Sequence, residues 1–147
     1  QDYAKARELY EKAALAGFNR AMSRLGLLYE NGRGVAVDLP LARKWLERGA
    51  ERGDSLGQYH LARFLDQAGG GAADYSKAAQ QLLLAARGGS AEATSVLGGF
   101  LPRWNAETVK ALQTQLKTSG QYTGDVNGRW DAAGQAAAKQ FIEARRT

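Results

Sequence analysis

The feature that most constrains the fold of this chain is an internal repeat with a period of 36 residues. Shifted by that period, the sequence matches itself without a gap over three copies in five columns. The columns are Asp2, Asp38 and Asp74; Ala6, Ala42 and Ala78; Ala14, Ala50 and Ala86; Gly17, Gly53 and Gly89; and Leu25, Leu61 and Leu97. A period of this length is typical of a solenoid, in which each unit buries its apolar face against its neighbours. Because such an array displays a surface rather than enclosing a pocket, the repeat favours a binding function.

Two helical patterns alternate within each unit. Both carry an apolar stripe at positions i, i+4, i+7 and i+8, which is one face of an α-helix. The first stripe consists of Ala21, Leu25, Leu28 and Tyr29, and the second of Ala42, Leu46, Gly49 and Ala50. Asp38 is the expected N-cap of the second helix, and Pro40 is tolerated in its first turn. The sequence therefore predicts an all-α array of antiparallel helix pairs.

The stretch from Ala21 to Asp38, continued by Ala42, Trp45 and residues 50–53, resembles the Sel1-like repeat. That family reads A-x-x-x-L-G-x-x-Y-x-x-G-x-G-V-x-x-D, then A-x-x-W and a closing A-x-x-G, and this copy matches each of those positions. The resemblance covers residues 2–101. Its last helix is expected from Ser90 to Phe100 and corresponds to the first helix of a repeat unit. It implies a tetratricopeptide-like α-solenoid that acts as a scaffold or adaptor and has no catalytic residues.

Residues 102–147 follow a different pattern. A helix is expected after an Asn105 cap, followed by a glycine-rich loop over residues 119–130 and a last helix from about Asp131. The segment resembles the small three-helix peptidoglycan-binding domain of bacterial wall hydrolases, whose signature is L-Q-x-x-L, G-x-Y-x-G-x-V-D-G-x-F-G and A-x-x-x-F-Q. Matching positions are Leu112, Gln113, Leu116, Gly120, Tyr122, Gly124, Val126, Gly128, Trp130 and Phe141. The sequence thus predicts two domains, a repeat array over 1–101 and a peptidoglycan-binding-like domain over 102–147.

This second resemblance implies a binding site for wall material on the loop. The residues expected to form it are Tyr122, Asp125, Asn127, Arg129 and Trp130. Aromatic rings and polar groups in a shallow groove suit glycan strands and peptide stems, and an arginine can pair bidentately with a stem carboxylate. The two aromatic residues equally fit a role as buried pins of the loop, so both interpretations stay open at this point.

A protein-binding surface is expected on the first helix of each pair, because first helices commonly line the concave side of such arrays. The candidate residues flank the apolar stripe, and they are Arg20, Arg24, Tyr59, His60 and Arg63. A mixture of arginine, tyrosine and histidine suits a partner of acidic or amphipathic character. The alternative is a solvated face with no partner.

Several other functions find no support in the composition. The chain has no cysteine and only His60 as a histidine, so neither a metal site nor a catalytic triad is expected. The net charge of +5 comes without a dense Lys/Arg stripe, which argues against nucleic acid. No apolar run reaches the ~18 residues of a membrane span. We therefore expect no catalytic residues, no cofactor and no membrane contact.

The combination of both resemblances is similar to the periplasmic part of alphaproteobacterial polarity scaffolds. It implies a non-catalytic bacterial envelope scaffold that binds peptidoglycan through its C-terminal domain and a protein through its repeats. One alternative is a purely protein–protein adaptor whose C-terminal domain only caps the array, and another is a regulatory arm of an upstream enzyme domain. Gln1 lies one residue before the first aspartate column, so the chain is expected to be an excerpt of a longer protein, with any membrane anchor upstream.

Overall fold

The computed structural model describes residues 2–144, and within that range the chain forms eight helices and no strand. The helices are α1 (Tyr3–Leu15), α2 (Asn19–Asn31), α3 (Leu39–Glu51), α4 (Ser55–Gln67), α5 (Tyr75–Arg87), α6 (Ala91–Leu97), α7 (Ala106–Thr118) and α8 (Ala132–Ala144). Each of the first five packs against the next in the chain. The predicted all-α architecture is confirmed.

The period of the sequence is also the period of the helices. The first helices of successive units, α2, α4 and α6, begin at Asn19, Ser55 and Ala91, so each starts 36 residues after the one before. The second helices keep the same spacing, since α1, α3 and α5 begin at Tyr3, Leu39 and Tyr75. Such exact spacing lets every unit present the same faces to its neighbours, which is how a solenoid buries its core.

The aspartate column has a structural cause. The carboxylates of Asp2, Asp38 and Asp74 each accept a hydrogen bond of 3.0 Å from the backbone N–H three residues on, at the start of α1, α3 and α5. A capping carboxylate satisfies one of the N–H groups that a helix leaves without an internal partner. The predicted N-cap role of Asp38 is therefore confirmed, and Asp74 has the same role one unit later.

Helices α2 and α3 approach each other closely at Gly26. A Cβ atom at this position would lie 2.9 Å from both the carbonyl oxygen of Ala42 and Cγ of Leu46. Leu46 is fully buried there. The absence of a side chain at Gly26 is what allows the two backbones to meet.

The C-terminal segment packs on the end of the array and shares its core. One apolar cluster contains Leu82, Leu83, Ala86 and Leu97 from α5 and α6, together with Val109, Leu112, Leu116, Trp130 and Ala138 from the segment that follows. The peptidoglycan-binding resemblance implied three helices within residues 102–147, whereas the described part of this segment contains two. Helix α5 of the array packs against both α7 and α8 and so supplies a third helix to their bundle.

Helix α6 is shorter than expected. It ends at Leu97, three residues before the predicted end at Phe100, because Gly98 and Gly99 follow directly and favour termination of the helix. Leu97 is buried beneath the C-terminal segment, while Phe100 stays 72% exposed. The segment therefore covers the open end of the array only in part, and an aromatic ring is left at the surface.

Candidate functional site

Three of the residues predicted to bind a protein form one cluster on α4. Arg63 Nη2 donates hydrogen bonds of 3.2 Å to both carboxylate oxygens of Glu30 on α2. On its other side Arg63 Nη2 lies 2.8 Å from Nδ1 of His60, and Nε of the same guanidinium lies 3.3 Å from that atom. Because arginine can only donate, His60 accepts through Nδ1. The Tyr59 and His60 rings meet edge to face at 5.1 Å.

The surroundings of His60 keep its imidazole neutral. The pKa of His60 is lowered from 6.5 to about 4, mainly by burial and also by the positive charge of Arg63, while Glu92 opposes the shift. A neutral imidazole is the form that can accept from Arg63, so the hydrogen bond and the electrostatics agree. The cluster holds the guanidinium of Arg63 in one orientation between two helices.

A surface cleft of about 440 Å³ opens beside this cluster, between α4, α6 and the connection from α6 to α7. Helix α4 contributes Tyr59, Arg63 and Gln67, and the other wall comes from α6 and the residues after it, which are Ser95, Val96, Gly99, Phe100, Leu101, Pro102, Arg103 and Trp104. We refer to this opening as the α4–α6 cleft. Its walls combine aromatic rings with two guanidinium groups.

The other two predicted residues, Arg20 and Arg24, lie one unit earlier on α2. Arg20 Nε donates a hydrogen bond of 2.8 Å to Asp54, whose second carboxylate oxygen accepts one of 2.5 Å from the hydroxyl of Ser23. Arg24 is exposed beside a separate shallow pocket between α1 and α2. The five candidates share the first-helix face, but only Tyr59 and Arg63 line the α4–α6 cleft.

Sequence reasoning missed three residues of this cleft, namely Phe100, Arg103 and Trp104. They follow the repeat, where the helical pattern ends, and nothing in their spacing indicates which way they point. Two aromatic residues and an arginine within five positions were the available signal. Their place beside α4 depends on contacts with residues about forty positions earlier in the chain.

In the C-terminal segment, two of the predicted peptidoglycan-binding residues are enclosed in the core. Trp130 is 5% exposed and donates its indole N–H to the carbonyl oxygen of Leu97 at 2.8 Å. Tyr122 is 4% exposed and donates its hydroxyl to the carbonyl oxygen of Asp125 at 2.8 Å. Burial raises the pKa of the Tyr122 hydroxyl, with smaller contributions from Asp131 and Asp125. Both rings thus act as pins of the loop, the second of the two roles the sequence left open, and neither presents a face to a ligand.

The remaining three candidates lie on the surface of the same loop. Buried Gln113 organises its backbone, because the side-chain oxygen accepts from the N–H groups of Asn127 and Gly128 at 3.0 and 2.9 Å. The side-chain nitrogen of Gln113 donates to Oδ1 of Asn127 at 3.1 Å and to the carbonyl oxygen of Arg129 at 2.8 Å. Asn127 therefore serves the loop, while the side chains of Asp125 and Arg129 are exposed. Their predicted role in binding wall material stays a prediction.

Between residues 2 and 144, no group of three or more His, Asp or Glu side chains is placed to hold a metal ion. In the same range, none of the helices has the length and apolarity needed to cross a membrane.

The Sel1 repeat family matches three consecutive stretches of the chain, residues 1–18, 19–54 and 55–90. These boundaries coincide with the structural units, since the first stretch contains α1, the second α2 and α3, and the third α4 and α5. The match stops at residue 90. The peptidoglycan-binding resemblance of the C-terminal segment therefore stays a prediction. No curated protein matches the sequence.

Solved structures support the same assignment. A Sel1 repeat protein from Oxalobacter formigenes superposes with a TM-score of 0.66 and 25% identity, over 95% of this chain and 48% of that one. The protein c5321, a protective antigen of uropathogenic Escherichia coli displaying an SLR fold, gives a TM-score of 0.64 and 32% identity, over 82% of this chain and 28% of its own. This chain thus spans less than half of either protein. With its repeats matched over 90 residues and its helices in the same arrangement, the chain belongs to the Sel1 repeat family, whose solenoids serve as protein–protein interaction modules.

Proposed function

We propose that this chain binds a partner protein on the face of its first helices and that the α4–α6 cleft is the principal contact site. The observation that carries the proposal is the meeting of Tyr59 and Arg63 from the array with Phe100, Arg103 and Trp104 from the connection after it. Tyrosine, tryptophan and arginine are the residue types that contribute most to binding energy at protein interfaces. An exposed phenylalanine among them adds apolar area for a partner to bury.

Site-specific photo-cross-linking tests this proposal. A photoreactive phenylalanine analogue placed at Phe100 is expected to give a discrete cross-linked product in cells that produce the protein. The matched control is the same analogue at Gln80, which is exposed on α5 and lies outside the cleft. No product at either position, or identical products at both, would overturn the proposal.

A second candidate function is peptidoglycan binding by the C-terminal segment, which would make the protein a non-catalytic tether in the bacterial envelope. It is favoured by the loop that Gln113 organises, since that loop presents the charged side chains of Asp125 and Arg129 to solvent. A preorganised loop loses less conformational entropy when it binds. The competing view is that this segment only caps the array, for which the shared core of α5, α7 and α8 is reason enough.

Pelleting with insoluble wall sacculi separates these two views. Wall binding predicts that the parent chain sediments with sacculi and that Arg129→Ala and Asp125→Ala reduce the sedimented fraction. Lys139→Ala, another change of an exposed charged residue, is the control and is expected to sediment like the parent. If the parent chain stays in the supernatant, the C-terminal segment only caps the array, and the proposed tethering role in the bacterial envelope is wrong.

A further inference from the structure

We infer that the α4–α6 cleft selects an extended acidic peptide in which an apolar side chain stands next to the carboxylates. This inference rests on the proposed protein-binding function and adds the chemistry of the partner. It also assigns the C-terminal segment a part in recognition, because the cleft is incomplete without the residues that lead into α7.

The charged side chains that line the cleft are both positive. The charged residues that line it are Arg63 and Arg103, and none of the described lining residues is acidic. Glu30 offsets the charge of Arg63 through its carboxylate at 3.2 Å. For Arg103, no acidic side chain among residues 2–144 lies within ion-pair distance, and the residue is exposed. A carboxylate on a partner would complement this charge, and guanidinium groups pair with carboxylates in a fixed bidentate geometry.

The apolar half of the site lies around Leu101, where the backbone takes an unusual conformation. This residue has a φ of +56°, a left-handed conformation that is uncommon outside glycine. Leu101 is buried in the core, while its neighbour Phe100 is exposed at the mouth of the cleft. Tyr59 and Trp104, each partly buried, line the space beside it. A volume of about 440 Å³ has room for a few side chains of a peptide, and its aromatic walls suit an apolar one.

The second wall of the cleft is held in place from the array. Asp66, at the end of α4, accepts hydrogen bonds from the backbone N–H of Asn105 at 2.9 Å and from the hydroxyl of Thr108 at 2.6 Å. These bonds fix the chain immediately after Arg103 and Trp104. The cleft is therefore built before a ligand arrives, which lowers the entropic cost of binding an extended segment.

Fluorescence anisotropy with labelled eight-residue peptides tests the inference. The probes are a peptide of alternating glutamate and phenylalanine, a version with lysine for glutamate, a version with alanine for phenylalanine, and a single-stranded oligonucleotide. The glutamate–phenylalanine peptide is expected to bind at least about 10-fold more tightly than the other three. Arg103→Ala and Phe100→Ala should each weaken it by about 5- to 10-fold, while Arg52→Ala, which removes an exposed arginine outside the cleft and off the first-helix face, should leave it unchanged. Circular dichroism checks that the variants are folded.

The outcomes separate this inference from the function on which it rests. Tighter binding of the lysine peptide, the alanine peptide or the oligonucleotide would overturn the acidic and apolar selectivity. If Phe100 cross-links a partner but no peptide binds, protein binding stands and the inferred peptide chemistry falls. If neither cross-linking nor peptide binding occurs, both fall.

Discussion

Asp66 and Thr108, 42 residues apart in sequence, are joined by a buried hydrogen bond of 2.6 Å from the threonine hydroxyl to the carboxylate. The same carboxylate oxygen accepts from the backbone N–H of Asn105 at 2.9 Å, at the N-cap of α7. One acidic side chain of the last complete repeat thus fixes where the C-terminal segment begins. In the preceding unit the equivalent position is Glu30, which instead pairs with Arg63 of the next first helix.

Removing the carboxylate of Asp66 is expected to destabilise the chain. Asp66→Ala leaves a buried hydroxyl and a backbone N–H without their acceptor, which should lower the free energy of unfolding by about 2–4 kcal/mol. Thr108→Val should cost less, about 1–2 kcal/mol, because it removes one donor only. Urea denaturation measures both. Asp125→Ala, at an exposed position, is the control and should stay within about 0.5 kcal/mol.

The double variant decides whether the two residues act together. Asp66→Ala with Thr108→Val should cost less than the sum of the single changes by about 1 kcal/mol, as expected for groups in one hydrogen-bond network. Strict additivity would show that the hydrogen bond contributes nothing to stability.

Gly26→Ala should be destabilising although alanine is the better helix former. The new Cβ would lie 2.9 Å from the carbonyl oxygen of Ala42, and that backbone has to move. We expect a loss of about 1–3 kcal/mol from overpacking, offset by at most about 1 kcal/mol of helix propensity. Gly98→Ala is the control, because a Cβ there meets nothing nearer than 3.4 Å. An equal or better stability of Gly26→Ala would contradict the close approach of α2 and α3.

Trp130→Phe should weaken the junction between the array and the C-terminal segment. The change deletes the indole N–H that donates to the carbonyl oxygen of Leu97 at 2.8 Å, and it leaves a small void in the shared core. We expect a loss of about 1–3 kcal/mol in chemical denaturation, with a reduced near-ultraviolet circular dichroism signal. A variant as stable as the parent would show that the ring is not a pin of the loop.

The single histidine, His60, allows a prediction of how the free energy of unfolding depends on pH. Burial, aided by Arg63, lowers the pKa of His60 from 6.5 to about 4. Between these two pH values His60 is protonated in the unfolded chain but neutral in the folded chain. The free energy of unfolding therefore falls as the pH drops from 6.5 to 4. The loss is at most about 3 kcal/mol, and His60→Gln should remove it. Proton NMR of the imidazole gives the midpoint directly, and a value near 6.5 would contradict the burial of His60.

The repeat made the array predictable at the level of single residues. Leu25, Leu61 and Leu97, which occupy one column of the sequence, are each at most 1% exposed. The aspartate column became three N-caps for the same reason. In a solenoid, residues contact others in the same unit or in the next unit. Each interaction therefore recurs at a constant spacing, and the residue type that makes it is repeated in the sequence.

The candidate sites were less predictable because they depend on single, unrepeated contacts. The pattern singled out Tyr122 and Trp130, yet aromatic residues in a glycine-rich loop look the same whether they bind a ligand or fill a core. The structure encloses both rings. It also leaves Phe100 in solvent, although the C-terminal segment buries Leu97 three residues earlier.

The sequence by itself determined the helices, their caps, their order and the stripe of leucine and alanine that each buries, since these follow from local propensity and a period of 36 residues. Only the tertiary structure decided that α7 and α8 join the core of α5, and that Arg103 and Trp104 face Tyr59 across a cleft. The physical reason is that this junction depends on a few hydrogen bonds between residues about forty positions apart, such as that of Asp66 with Thr108. These bonds occur once in the chain, so the sequence repeat does not predict them.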